Sequence, residues 1–262
     1  MWDVNVLFKF CLSGHLSLVR EARSTNDFVV ASIYVNPSQF APNEDLKQYP
    51  RSLIEDKEAL EKLGVDLLFC PSEMYSQVHR CYIEPLGFDE LREGKARPGH
   101  FRGVATIVNK LLNIVQPTRA YFGQKDAAQC ILIKRLVADM DLDVEIQIME
   151  TIREKDGLAM SSRNAYLDQK ERDAAVVIFQ SLTAAKEIFE SSFAGNLPMD
   201  ANIILETVSR VLQSEPLVKD IEYIAVDCKE TMGSLQQIGP GGAIVSLAVK
   251  VGNVRLIDNI VL

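Results

Sequence analysis

Seven consecutive residues, Phe28 to Tyr34 (FVVASIY), carry no charge and are the length of a strand. A strand without a polar face must be covered on both sides, which is the habit of parallel strands flanked by helices. The segments around it alternate to match. Val4 to Phe10 is apolar and strand-like. Ser13 suits a helix N-cap, with Leu16, Val19 and Ala22 following at helical spacing. Arg51 to Leu63 turns Leu53, Leu60 and Leu63 inward, and Val65 to Phe69 is a short strand. Phe101 to Val115 puts Val104, Ile107, Val108, Leu111, Leu112 and Val115 on one stripe. Strand-like Arg119 to Phe122, a helix over Ala127 to Met140 and a strand over Val144 to Met149 complete the pattern. Such alternation predicts an α/β fold with a parallel, doubly wound sheet. Ligands of these sheets bind beyond the carboxyl ends of the strands.

The pattern changes near Thr151. Two helical stretches, Gln169 to Ser191 and Met199 to Gln213, precede three apolar strands at Ile221 to Asp227, Ala243 to Lys250 and Val254 to Asn259. The last two flank Gly252-Asn253 and read as a hairpin. The expected division is therefore residues 1–152 as the doubly wound domain and 153–262 as a smaller α+β domain.

The net charge of −8 makes the chain a poor electrostatic partner for nucleic acid or an anionic membrane. An anionic substrate would need a local positive cluster. The five cysteines are odd in number and lack a C-x-x-C pair, against a disulfide framework or structural zinc. Reduced thiols in a cytosol-like compartment follow. No apolar run approaches the roughly 20 residues of a membrane span, and the start lacks a secretory signal pattern.

Several polar groups fall at strand ends. Ser13-Gly14-His15 sits where a first strand hands over to a first helix, and free N–H groups there attract phosphate. The plain alternative is a cap, a turn and a surface histidine. Asn36-Pro37-Ser38-Gln39 follows the second strand and could grip a substrate or simply turn the chain. Arg97, His100 and Arg102 flank the start of the long helix, where they suit an anion or a solvated entry. His79 reads as a surface residue. Gly123-Gln124-Lys125-Asp126 could cradle phosphates, although Walker spacing is absent. Met160-Ser161-Ser162-Arg163 offers two hydroxyls and a guanidinium for a polyphosphate, on a loop able to close over a bound nucleotide.

Taken in order, these blocks resemble the pantothenate synthetase (pantoate–β-alanine ligase) family. The resemblance is carried by SGHLSLVREAR (Ser13 to Arg23), VNPSQF (Val35 to Phe40), EDLKQYPR (Glu44 to Arg51), RPGHFRGVATIV (Arg97 to Val108), FGQKD (Phe122 to Asp126), DGLAMSSRN (Asp156 to Asn164) and RLIDN (Arg255 to Asn259). It implies a Rossmann-like domain of the nucleotidyltransferase superfamily that binds ATP and pantoate, and a C-terminal lid. It also implies a cytoplasmic homodimer that uses ATP with Mg to join pantoate to β-alanine through pantoyl adenylate, releasing AMP and pyrophosphate. By position, His15 matches the phosphate-contacting histidine and proton donor, and Lys125 and Arg163 the catalytic cations. Gly14, Gly123, Gln124, Asp126, Ile152, Met160, Ser161 and Ser162 match further nucleotide contacts. Gln39 and Gln129 match the substrate glutamines, Gln39 lying also near β-alanine. The family's H-x-G-H motif has Leu12 at its first histidine position here, and Phe8-Lys9 stand where the family has Met-Gly. The family's usual leading helix would precede Met1, and the segment from Met74 to Glu84 is shorter than usual. A second reading is therefore an impaired or silent homologue that keeps the fold as a binding or dimer scaffold.

Overall fold

The uncharged run calls for a parallel partner, and the computed structural model supplies one. Strand β1 (Val30–Ser32) pairs in parallel with β2 (Leu67–Phe69), Ala31 opposite Leu68. Strand β3 (Arg119–Gly123) pairs in parallel with β4 (Glu145–Met149), Tyr121 opposite Gln147. The structure describes residues 13–41, 46, 52–192 and 198–262. The strand expected at Val4 to Phe10 lies outside them, as do Phe8, Lys9 and Leu12. Among the described residues the four strands form two separate ladders. The expected α/β organisation holds.

By contact the chain divides into two units, Met1–Gln124 with Leu132–Glu150, and Lys125–Ile131 with Thr151–Leu262. In the first, α1 (Ser13–Thr25) buries Leu18, Val19 and Ala22 against Val29, Ala31, Leu60 and Tyr121. Leu60 comes from α2 (Leu53–Lys62). A short helix, α3 (Arg92–Ala96), precedes α4 (His100–Val115). The predicted stripe is found on α4: Val104, Ile107, Val108, Leu111 and Leu112 are all buried. The helix stops at Gln116, whose φ of 51° leaves the helical region just before Pro117. Helix α5 (Ala127–Asp139) leads to β4.

In the second unit, the single helix expected over Gln169 to Ser191 is two, α6 (Gln169–Ala174) and α7 (Val177–Ser192). No Gly or Pro falls between Gln169 and Ser192, so the sequence pattern hides the break. Locally, the Ile178 N–H reaches back only to the Ala175 carbonyl, a tightened turn that offsets the two ladders. Asp168 and Glu171 form a full capping box on α6. A two-residue pairing of β5 (Met199–Asp200) with β7 (Gln237–Ile238), unexpected from the sequence, leads into α8 (Ala201–Gln213). Strands β6 (Val218–Asp227), β8 (Ile244–Val251) and β9 (Val254–Val261) form an antiparallel sheet in the order β6-β8-β9. The expected hairpin is there, Val251 opposite Val254 across Gly252-Asn253. Strand β8 is central and buried at seven of its eight positions, and its alternate residues Val245, Leu247, Val249 and Val251 share a core with α7 and α8.

Candidate active site

In the first unit, Gln39 ends a 3-10 turn (Pro37–Gln39) a few residues beyond the carboxyl end of β1. The preceding Asn36 is buried and uses both ends of its carboxamide. Its Nδ2 donates to the Gly103 carbonyl and to Gln39 Oε1, each at 3.1 Å. Its Oδ1 accepts from the Tyr75 hydroxyl at 2.9 Å and the Ser38 N–H at 3.4 Å. Burial pushes the Tyr75 phenol up to about 12, so it stays a neutral donor. Helix α4 lies against the turn at Gly103, where a Cβ would run into the Ser38 carbonyl. The Gln39 carbonyl accepts from His100 Nδ1 at 2.9 Å and from Arg97 Nη2 at 3.4 Å. Arg97 Nη1 lies 3.1 Å from His100 Nε2 and 3.7 Å from Glu93 Oε1. The turn is thus held from three sides, and its side-chain amide meets Asn36.

Of the two readings of Arg97 and His100, an anion site or a solvated helix entry, the solvated entry does not hold: both groups brace the main chain of Gln39. Arg102 faces elsewhere, stacked over Tyr82 at 3.9 Å and paired with Glu84 at 3.2 Å. His79, read as a surface residue, is half-buried between the rings of Tyr75 and Tyr82, 5.0 and 4.8 Å away.

Gly14 and His15 form the first turn of α1, and the Gly14 carbonyl accepts from Ser17 Oγ at 2.7 Å. The other end of α1 is pinned to the start of β3, with Arg119 Nη1 donating to the Thr25 carbonyl at 3.2 Å. The Gln124 N–H donates to the Met149 carbonyl at 2.8 Å, extending the ladder by one bond.

In the second unit, Lys125, Asp126 and Gln129 stand at the entry to α5. The helical ladder opens at Asp126, whose carbonyl takes the Cys130 N–H at 3.0 Å. The Lys125 carbonyl takes its donor from elsewhere, Asn259 Nδ2 of β9 at 2.9 Å. Ile152 is exposed and begins a hairpin. Arg153 pairs with Ala159, and the Met160 N–H donates to the Ile152 carbonyl at 2.9 Å. At the tip Gly157 has φ 95°, and a Cβ there would strike the Phe179 ring. Asp156 takes both Arg172 nitrogens, at 2.8 and 3.2 Å, and that guanidinium holds the Asp156 carboxyl below its ordinary value.

The Arg153 guanidinium is anchored at the other side. Its Nη1 lies 2.6 Å from Asp258 Oδ2 and its Nη2 lies 3.1 Å from Asp258 Oδ1. It also stacks over Phe179 at 4.4 Å. The Asp258 side chain is 1% exposed, so this is a buried bidentate pair. Directly after the hairpin come Met160 to Arg163, all half-buried. Ser161 Oγ accepts from the Arg163 N–H at 3.3 Å and caps a 3-10 turn (Ser162–Tyr166). Asn164 Nδ2 ties the loop back to the Ala159 carbonyl at 3.0 Å.

Sequence reasoning singled out Asn36, Gln39, Lys125 and the Met160 loop but missed the other residues that hold them: Tyr75, Glu93, Gly103, Arg153, Asp258 and Asn259. Gly103, Asp258 and Asn259 lay inside matched blocks, which was their only signal.

A family model described as pantoate-beta-alanine ligase matches residues 11–261. The pantothenate synthetase of Chloroflexus aggregans is 48% identical over 94% of this chain and 87% of its own length. That of Herpetosiphon aurantiacus is 46% identical over 97% and 90%. The crystal structure of pantothenate synthetase from Thermus thermophilus superposes with a TM-score of 0.92 at 40% identity, covering 98% of this chain and 92% of that one. A Francisella tularensis pantoate-beta-alanine ligase complexed with beta-gamma ATP and beta-alanine gives 0.76 at 34% identity, covering 99% and 90%. With blocks and fold in agreement along almost the whole length, this chain belongs to the pantoate–β-alanine ligase, or pantothenate synthetase, family.

Proposed function

We propose that this chain condenses pantoate with β-alanine at the expense of ATP. The observation that carries the reading is the family match over residues 11–261. A pantoate carboxylate oxygen attacks the α-phosphorus of ATP. An O–P bond forms, the bond to the bridging oxygen breaks, and pyrophosphate leaves with the electron pair. The β-alanine amine then attacks the acyl carbon of pantoyl adenylate. A C–N bond forms, AMP leaves, and the amine gives up a proton.

The residues fit these tasks by type. The first step brings two anions together, and fixed positive groups lower that barrier. His15, Lys125 and Arg163 are assigned to the phosphates, with His15 donating to the leaving group. Gly14, Gly123, Gln124, Asp126, Ile152, Met160, Ser161 and Ser162 line the nucleotide. Gln39 and Gln129 orient pantoate, which supplies the alignment part of the rate; the braced Gln39 turn supports this role. Among the described residues no three His, Cys, Asp or Glu side chains gather as a metal cage. Magnesium carried by triphosphate oxygens and water needs no such cage, and exposed Asp126 is a carboxylate on the Lys125 segment. Magnesium, when bound, offsets phosphate charge. The chain works as a cytoplasmic homodimer; among the described residues no helix is long and apolar enough to cross a membrane.

The test is AMP and pyrophosphate release with ATP, pantoate and β-alanine present or singly omitted. Pyrophosphate release should require ATP and pantoate, and AMP release β-alanine as well. No pantoate-dependent pyrophosphate would overturn the activity and leave the silent scaffold; the relatives named above, all synthetases or ligases, favour turnover.

A further inference from the structure

We propose that Asn259 is a positioning residue for the phosphate side of the reaction, acting through Lys125 and the Arg153 hairpin. The inference rests on the ATP role assigned to Lys125 and Met160 to Arg163. Asn259 is 4% exposed and sits in β9, which is paired to β8 along its whole length. Its side chain and main chain reach two different segments. Nδ2 donates to the Lys125 carbonyl at 2.9 Å. Its own carbonyl accepts from Arg153 Nη2 at 3.3 Å, and its N–H donates to Asp258 Oδ1 at 2.8 Å, beside the bidentate pair.

The Lys125 bond does more than satisfy a buried amide. Lys125 stands one residue outside the α5 ladder, which opens at Asp126. Its side chain has four rotatable bonds, so its ammonium is only as well placed as the backbone it leaves from. The tie on that backbone carbonyl comes from the middle of a sheet strand. The same strand residue holds Arg153, whose chain pairs with Ala159 immediately before Met160. One rigid element therefore sets the origin of both phosphate-directed segments. Only the Lys125 tie depends on the asparagine side chain; the Arg153 contact is made by the main-chain carbonyl.

Asn259→Ala removes the donor. Asn259→Asp keeps the shape but faces the Lys125 carbonyl with an acceptor. At temperatures well below melting, both variants should lose on the order of tenfold in kcat/KM for ATP, the worth of one hydrogen bond in positioning. KM for pantoate should stay within about twofold, and Asn259→Asp should be at least as impaired as Asn259→Ala. The readout is pantoate-dependent pyrophosphate release by the full chain at varied ATP and at varied pantoate. Unchanged ATP kinetics, equal losses toward ATP and pantoate, or failure of both variants to fold would make Asn259 structural and overturn the proposal. A wild-type chain without pantoate-dependent pyrophosphate release would overturn the assigned activity instead, so the two failures are distinct.

Discussion

Gln39 reaches its place on a turn whose own side chains are held by amides and a missing side chain, with an imidazole and the Glu93-paired Arg97 on its main chain, whereas Met160 to Arg163 follow a hairpin held by a bidentate buried ion pair. Around Gln39, Asn36 spends all of its carboxamide on neighbours, and Gly103 lets α4 touch the turn. Around the hairpin, Arg153 is fixed by two charge-assisted bonds to Asp258, and Asp156 by two to Arg172. The difference suits the ligands assigned to each. A glutamine that orients a small hydroxy acid needs close shape, and the contacts of Asn36 and Gly103 on its turn give shape. A loop that meets a polyphosphate must keep its own charges paired until the ligand arrives, and ion pairs with acids inside the unit do that.

The comparison breaks first at Asp258. Asp258→Ala leaves the Arg153 guanidinium without its buried partner, and removing one member of such a pair costs about 3–5 kcal/mol. Denaturant unfolding should show that loss; a cost below about 1 kcal/mol would mean the pair does not hold the hairpin. Gly103→Ala comes next. The added Cβ meets the Ser38 carbonyl and must push the turn from α4, an overpacking cost of about 1–3 kcal/mol. Its kinetic mark should be selective, with kcat/KM for pantoate falling roughly tenfold more than kcat/KM for ATP. Equal losses would remove the case for a shape-held Gln39.

The smallest effects separate the regions by pH. Tyr75 is held up to about 12, so its contribution is whole below the ordinary phenol value and fades as pH rises through about 12. Asp156 is held down, so its contribution is whole above the ordinary carboxylate range and fades as pH falls through the lowered value. Asp156 and Arg172 are both partly exposed, so the acid effect is modest and screened by salt. Burial also raises the Tyr34 phenol, so spectrophotometric titration should show a late component near pH 12 that is lost in Tyr75→Phe while the rise from Tyr34 stays. Unfolding at acid pH should show a slope that shrinks in Asp156→Asn. An unchanged titration, or an unchanged slope, would remove the corresponding half of the contrast.

Much of the scaffold was legible because it is written in side-chain periodicity. The α4 stripe, the β8–β9 hairpin and the parallel strands all follow from spacing of apolar residues. The split between α6 and α7 was not legible, because it lies in one shifted main-chain bond that no Gly or Pro marks. The candidate site divides similarly. Gln39, Lys125 and the Met160 loop announce themselves as polar groups at strand ends. Their supports do not, because His100 and Asn259 bind main-chain carbonyls, and a carbonyl is the same at every residue. The brace made by Arg97 and His100 was hidden for that reason: two basic groups beside a helix start suit an anion or a solvated entry equally until the acceptor is seen.

Residues 125–131 belong with the second unit although 132–150 belong with the first. Followed as a path, the chain therefore crosses from one unit to the other three times, after Gln124, after Ile131 and after Glu150. A single proteolytic cut cannot release the second unit whole. A fragment beginning at residue 153 would keep Asn259 but lose the Lys125 carbonyl it binds, together with the helix entry that carries Gln129. In evolutionary terms the second unit is not a detachable module to be shuffled between scaffolds. Insertion of another domain is better directed at exposed turns than at the boundary near Thr151.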